Sequence, residues 1–162
     1  MAVVSNTSPL LNLSIIGRLD RVRAQHSRVL IPPAVLEELR LDEERPGSKA
    51  LTSAFEDGWI VERQVQDDAL VRTLRRDLDR GESEAIALAV EVEASLLLLD
   101  EQEGRERART LDLPITGAIG ILIRAYEAGN LASLSTALDR LRTNAGFWIA
   151  PSLREQIIRD HS

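Results

Sequence analysis

Short apolar runs alternate with longer amphipathic stretches along most of the chain. Four runs have the length and composition of buried strands: AVVS (2–5), RVLIP (28–32), SLLLL (95–99) and LPIT (113–116). Stretches with helical periodicity follow them, namely LLNLSIIGRL, AVLEELRL, GRERARTLDL and GAIGILIRAYEAG. This alternation predicts an α/β fold, a three-layer sandwich in which helices cover both faces of a mostly parallel central sheet.

The remaining segments extend the same pattern. SKALTSAFEDG, DDALVRTLRRDLD and ASLSTALDRLRT are predicted helices, WIVERQV is a short strand, and FWIAPSLREQIIRD ends in a helix opened by Pro151 and Ser152. Ser8 and Pro9 suit the cap and first position of a helix, and Gly81 is taken as the cap of ESEAIALAVEVEA. That helix is almost wholly apolar in its middle, which predicts burial against the sheet.

The amino-acid composition limits the classes of protein to which this chain can belong. A chain of 162 residues with 44% hydrophobic residues is expected to form one domain, residues 1–162, with a sizeable core. The absence of Cys excludes thiolate sites and suits a reducing cytoplasm, and two His residues leave oxygen ligands for any metal. A net charge of −6 argues against a broad nucleic-acid-coating surface. No segment has the length of a membrane span or the pattern of a signal peptide.

Two polar residues follow predicted strands directly. Asn6 follows AVVS and Asp100 follows SLLLL. Ligands of open parallel sheets bind beyond the carboxyl ends of the strands, so the two side chains would face one crevice if their strands are neighbours. The alternative is that each residue merely caps the helix that follows it.

Helical phase selects among the acidic residues of two helices. At about 100° per residue, Glu38 lies at the border of the apolar face and Glu37 lies nearly opposite. By the same reasoning, only one of Glu82 and Glu84 can face a cleft, and Glu84 is the one chosen. A first-turn Glu84 is also explained by the helix dipole alone.

Converging carboxylates without basic partners repel one another, and a divalent cation relieves that repulsion. Mg²⁺ or Mn²⁺ held by a few carboxylates and several waters can activate a water for attack on a phosphodiester. The predicted chemistry is therefore hydrolysis of RNA or DNA.

The chain resembles PIN domains, and in particular a VapC-like branch with an SNTSPL or DTSPL start. The similarity lies in VVSNTSPLLNLSIIGRL, IPPAVLEEL, GESEAIALA, LLLLDEQEGRERA and ITGAIGILIRAYEAG, in family order. It implies a metal-dependent ribonuclease that is the toxin of a toxin–antitoxin pair. The metal and catalytic positions that it implies are Asn6, Glu38, Glu84 and Asp100, with Glu101 or Glu103 as a trailing acidic position.

Two residues depart from the family pattern. Asn6 stands where PIN domains usually have an aspartate, and Leu98 stands where many have a small hydroxyl residue. An amide oxygen can ligate Mg²⁺ but brings no charge, so Asn6 favours a second hypothesis, a PIN-fold protein or RNA interaction module with weakened catalysis. A nucleotide-binding domain is disfavoured because no Gly-rich phosphate loop follows a strand.

Partners are the least specified part of the prediction. Arg105 and Arg109 are candidate contacts to an RNA substrate, as are the arginines of the helix that begins at DDALV, although solvated helix faces explain both sets. GAIGILIRAY is assigned mainly to the core, with a homodimer contact as the alternative. The expected partners are RNA and a small antitoxin protein, without a membrane.

Overall fold

Five short parallel strands form the central sheet. The computed structural model describes residues 2–161. The strands are β1 (Val3–Ser5), β2 (Val29–Ile31), β3 (Ile60–Glu62), β4 (Leu96–Leu98) and β5 (Ile115–Thr116). They lie in the order β3-β2-β1-β4-β5, and every neighbouring pair is parallel. The predicted α/β fold with a parallel sheet is confirmed.

Ten helices accompany the sheet within residues 2–161. They are α1 (Thr7–Ile15), α2 (Asp20–His26), α3 (Pro33–Leu39), α4 (Ser48–Glu56), α5 (Asp68–Leu74), α6 (Arg80–Glu91), α7 (Gln102–Thr110), α8 (Ala118–Glu127), α9 (Leu134–Thr143) and α10 (Pro151–Asp160). In this part of the chain, no helix is long and apolar enough to cross a membrane.

The first strand pairs directly with the fourth. Val3, Val4 and Ser5 lie in register with Leu96, Leu97 and Leu98. The backbone N–H of Asn6 continues this ladder and donates to the carbonyl of Leu98 at 2.9 Å. The condition for a shared crevice is therefore met, because the segments that follow β1 and β4 leave the sheet side by side.

Burial follows from the apolar character of the strands and of α6. Every residue of β1 and β2 is buried, as expected for strands covered on both faces. Helix α6 contacts β1, β4 and the helices α3, α5 and α7, and its residues Ala85–Ala89 are buried. The prediction that this helix packs into the core is confirmed.

Several helix boundaries differ from the prediction. Helix α1 begins at Thr7 with Asn6 as its N-cap residue, so Ser8 is inside the first turn. Helix α6 begins at Arg80, and its N-cap is Asp79, whose carboxylate accepts from the Glu82 N–H at 2.8 Å. The assignment of Gly81 as cap is wrong because an aspartate two residues earlier satisfies the free amide of the first turn.

Two further differences concern short helices. Helix α2 was not predicted, since it is only seven residues long and Val22 is its one fully buried residue. The predicted helix over residues 67–79 ends at Leu74, and Arg80 belongs to the next helix. The arginines of this region therefore do not share one helix.

Leu98 tests how much the sheet core depends on this strand. Its side chain is 0% exposed, and Leu98→Ala should cost about 2–5 kcal/mol of unfolding free energy. The matched substitution Leu153→Ala removes the same atoms from a side chain that is 44% exposed and should cost less than about 1 kcal/mol. Urea denaturation would measure both losses. The dependence of the unfolding free energy on urea concentration (the m-value) should be the same in both variants and in the parent. Equal losses would contradict this account of the core.

Candidate metal centre

The turn between β1 and α1 binds a carboxylate from the turn after β4. Asn6 is 3% exposed, and its Nδ2 donates to Oε2 of Glu101 at 3.1 Å. The Ser8 hydroxyl donates to the other oxygen, Oε1, of the same carboxylate. The Asn6 Oδ1 is buried and has no hydrogen-bond partner within residues 2–161. The SNTSP sequence therefore positions Glu101 and leaves one acceptor oxygen open.

Asp100 lies at the end of β4 between the sheet and α8. Its Oδ1 accepts from the N–H of Ala118 at 3.0 Å, while its Oδ2 is buried and has no partner among the described residues. Burial raises the pKa of Asp100 to about 6, against the opposing effect of the Ala118 hydrogen bond. The Glu101 charge raises this pKa further, and the Arg105 charge lowers it.

Gly117 and Arg105 both lie close to Asp100. A Cβ at Gly117 would overlap Oδ1 of Asp100, so the residue before α8 needs to lack a side chain. Arg105 lies beside this point and donates from Nη1 to the carbonyl of Leu99 at 3.0 Å. The structure thus places Arg105 inside the site, next to Asp100, while Arg109 is exposed near the end of α7.

Glu82 is the buried carboxylate of helix α6. It is 7% exposed, and its Oε2 has no hydrogen-bond partner within the described chain. Burial raises the pKa of Glu82 to about 8, with contributions from the charge of Asp79, a hydrogen bond with that carboxyl, and the charges of Glu101 and Glu103. A Cβ at Gly104 in α7 would lie 2.7 Å from this Oε2, so Glu82 packs against the helix that follows β4.

Glu38 approaches the start of α6 from helix α3. The Thr7 hydroxyl donates to its Oε2 at 2.5 Å. A Cβ at Gly81 would lie 2.6 Å from each of its carboxylate oxygens, so glycine makes room for this side chain. Glu37 instead binds the exposed Arg80 at 2.9 Å. The choice of Glu38 over Glu37 by helical phase agrees with these contacts, and its role as a ligand stays a prediction.

Glu84 makes contacts of a different kind. Its Oε1 accepts from the N–H of Ala34 at 3.0 Å, and its Oε2 accepts from Nε of Arg80 at 3.0 Å. Both oxygens thus have donors, unlike the free oxygen of Glu82. The structure does not bring Glu84 to the carboxylates after β4, and its role as a ligand remains a prediction.

Glu82 is the candidate that sequence reasoning passed over. The signal was present in Asp79, which stands three residues before it and caps the helix. With the helix starting two residues earlier than assumed, the first-turn acid is Glu82. Glu103 is exposed in the first turn of α7, and its negative charge raises the pKa of Glu82.

We call Asn6, Glu82, Asp100 and Glu101 the acidic cluster. Within residues 2–161, no three His, Asp or Glu side chains are already arranged to hold a metal ion. The chemistry of the cluster nevertheless fits a hard cation, because three buried oxygens lack donors: Asn6 Oδ1, Glu82 Oε2 and Asp100 Oδ2. Buried acceptors without partners are costly, and a bound cation is one group that satisfies such an oxygen.

Comparison with known proteins decides the family. The sequence model described as PIN domain matches residues 2–162. The chain belongs to the PIN domain family. PIN domains are typically nucleases and generally use divalent metals. The acidic cluster, formed by residues that follow β1 and β4 and by Glu82 of α6, is thus the candidate metal centre of a PIN domain.

Other comparisons add little about activity. No curated protein matches the chain significantly. Among solved structures, it is similar to a PilT N-terminus domain protein from the hyperthermophilic archaeon Sulfolobus solfataricus P2. The identity is 20%, the match covers 82% of this chain and 96% of the other, and the TM-score is 0.49.

The raised pKa of Glu82 gives the metal-free protein a definite pH dependence. Because the pKa rises from 4.5 to about 8, the folded state keeps a proton that the unfolded chain releases. Stability should therefore fall as the pH rises through this window, and Asp100 should add a smaller fall between 3.8 and about 6. Glu82→Gln carries no such proton and should flatten the curve, with its gain in stability confined to high pH.

Urea denaturation at a series of pH values, with EDTA present, would measure this effect. Glu106→Gln is the matched control, since it removes an exposed carboxylate from α7 outside the acidic cluster. It should keep the fall seen in the parent. A parent curve that is flat between about pH 5 and about pH 8 would contradict the burial of a protonated Glu82.

Proposed function

We propose that this PIN domain is a divalent-metal-dependent endoribonuclease that hydrolyses RNA phosphodiester bonds. We further propose that it acts in the cytoplasm as the toxin of a toxin–antitoxin pair. The observation that carries the proposal is the set of three buried, donor-free oxygens of Asn6, Glu82 and Asp100. Buried oxygens without donors cost free energy in the fold, and carboxylate and amide oxygens of this kind are what a cation for metal-assisted phosphodiester hydrolysis would bind.

The residues have distinct tasks in this proposal. Glu82 and Asp100 would hold the cation with their free oxygens, and Asn6 would add a neutral amide oxygen. Glu38 lies next to Gly81, the residue before Glu82, and accepts from the hydroxyl of Thr7, the residue after Asn6. When bound, Mg²⁺ or Mn²⁺ supplies an activated water and neutralises charge on the phosphodiester oxygens. Binding of the cation requires Glu82 to lose its proton, so metal affinity should rise with pH.

An open groove next to Glu38 offers a path for RNA. Its volume is about 600 Å³, and its charged lining residues are Arg40, Arg45, Arg80, Glu37, Glu38, Asp42 and Glu43. Each arginine is paired with a glutamate, at distances from 2.9 to 3.7 Å. Exposed ion pairs contribute little free energy, so these guanidinium groups can exchange a carboxylate for a backbone phosphate at small cost.

The proposal assigns two classes of macromolecular partner. The substrate is single-stranded or structured RNA, and a small antitoxin protein inhibits cleavage. A homodimer remains a prediction from the apolar α8, although Ala118, Ile121, Leu122 and Ala125 on this helix are buried in the core.

A second candidate function is a PIN-fold interaction module with weakened catalysis. Asn6 favours it, because an amide replaces the acidic side chain usual at the end of β1. Such a module would bind RNA or protein equally well in Mn²⁺ and in EDTA, and it would cleave RNA in neither.

Cleavage of labelled single-stranded RNA with Mn²⁺, Mg²⁺ or EDTA tests the leading proposal. The full chain should cut only with a divalent cation, and Asp100→Asn and Glu82→Gln should each lower the rate by about 100-fold or more. Glu84→Gln should lower it far less, because Arg80 and the Ala34 N–H already engage that carboxylate.

The exposed Glu106→Gln is the matched control and should cut like the parent. An Asp100→Asn protein that cuts as fast as the parent would refute the proposed centre. A larger loss for Glu84→Gln than for Glu82→Gln would return the role on α6 to Glu84.

A further inference from the structure

Glu101 is held by two side chains from the opposite end of the sequence. Nδ2 of Asn6 donates to its Oε2 at 3.1 Å, and the Ser8 hydroxyl donates to its Oε1. Glu101 is also the N-cap residue of α7, but its side chain makes no capping hydrogen bond. Its carboxylate is therefore committed to the β1–α1 turn, and the usual local explanation for an acid at this position does not apply.

The pairing requires a hydrogen-bond donor at position 6, which the amide of Asn6 supplies. A carboxamide can donate to a carboxylate through its NH₂ group, whereas an ionised aspartate can only accept. An aspartate at position 6 would place two acceptors and two negative charges in contact with each other. Asn6 is thus chemically complementary to Glu101, beyond being a neutral replacement for an acid.

We propose that Asn6 and Ser8 are positioning residues that hold Glu101, and that Glu101 supplies the negative charge that the end of β1 lacks. This inference rests on the proposed metal-dependent function. The charge usual on the first strand is carried instead by the residue after Asp100.

The free atoms of the pair support this assignment. Asn6 is 3% exposed, and because its Nδ2 is used by Glu101, its Oδ1 is left without a donor in the same cluster. The negative charge of Glu101 also reaches both carboxyls with open oxygens, since it raises the pKa of Glu82 and of Asp100. Asn6 and Glu101 together thus present a neutral oxygen and a charge where one aspartate would present both.

An exchange of the two groups tests the proposal in the full chain. Glu101→Gln removes the charge, and the double variant Asn6→Asp with Glu101→Gln restores one amide and one carboxylate in swapped positions. Calorimetric titration with Mn²⁺ alone, without RNA, should show Glu101→Gln binding about 10–100-fold more weakly. The double variant should recover most of that loss.

Melting temperatures in EDTA at neutral pH provide a readout that is independent of metal. Asn6→Asp alone should melt well below the parent, because it sets two carboxylates against each other. Adding Glu101→Gln to it should raise the melting temperature again. Ser8→Ala keeps every charge but removes one donor to Glu101, and it should weaken Mn²⁺ binding by about tenfold.

Three results would overturn the inference. They are a Glu101→Gln protein that binds Mn²⁺ like the parent, a double variant that binds no better than Glu101→Gln, and an Asn6→Asp protein whose melting temperature is unaffected by Glu101→Gln. The matched control Glu106→Gln removes the same charge from an exposed position of α7 and should bind like the parent.

Failure of the proposed function has a different signature. A parent chain that neither binds Mn²⁺ nor cuts RNA would refute that function and the charge role of Glu101 together. The melting temperatures in EDTA would still decide whether Asn6 holds Glu101.

Discussion

The parallel pairing of β1 with β4 is the constraint on which the candidate site depends. These strands are far apart in sequence, yet their registered pairing ends with the Asn6 N–H bonded to the Leu98 carbonyl. The turn that follows each strand therefore begins at the same edge of the sheet. Without that pairing, Asn6 and Ser8 would not lie within hydrogen-bond distance of Glu101.

The candidate site also depends on a balance between the burial of its carboxyl groups and the stability of their ionised forms. The interior that stabilises α6 and β4 also lowers the local dielectric around Glu82 and Asp100, which raises their pKa values. The surrounding chain relieves only part of this cost. The Ala118 N–H and the Arg105 charge favour ionised Asp100, whereas the contributions around Glu82 all favour its protonated form. The protein thus keeps an unfavourable group in its interior, and such groups cluster at functional sites.

The sequence predicted the sheet and most helices because their apolar periodicity is strong. It also placed Asn6 and Asp100 correctly after their strands, since that placement needs only the order of elements. It misassigned α6, where a shift of the cap from Gly81 to Asp79 changes which glutamate lies in the first turn. Helical phase separates neighbours by their angle, but it does not reveal which angle faces a given partner until the helix is docked.

The contact between Asn6 and Glu101 was beyond the sequence for another reason. Position 101 was a candidate only as a trailing acid, and position 6 was treated as a missing charge. Their complementarity is a property of two turns brought together by the sheet, so no local pattern contains it. The position of Arg105 was also beyond the sequence. The sequence indicated a contact to RNA, whereas in the structure its guanidinium group donates to the Leu99 carbonyl.

The shortness of β1 has a consequence for how the SNTSP segment can vary. Successive side chains of a strand point to opposite faces of the sheet. The strand β1 has only three residues, so the number of residues before Asn6 decides which face its side chain points to. Deleting or inserting a single residue between Val3 and Asn6 would turn the amide toward the other face of the sheet. The number of residues between the first strand and this turn is therefore fixed by the direction in which the amide must point.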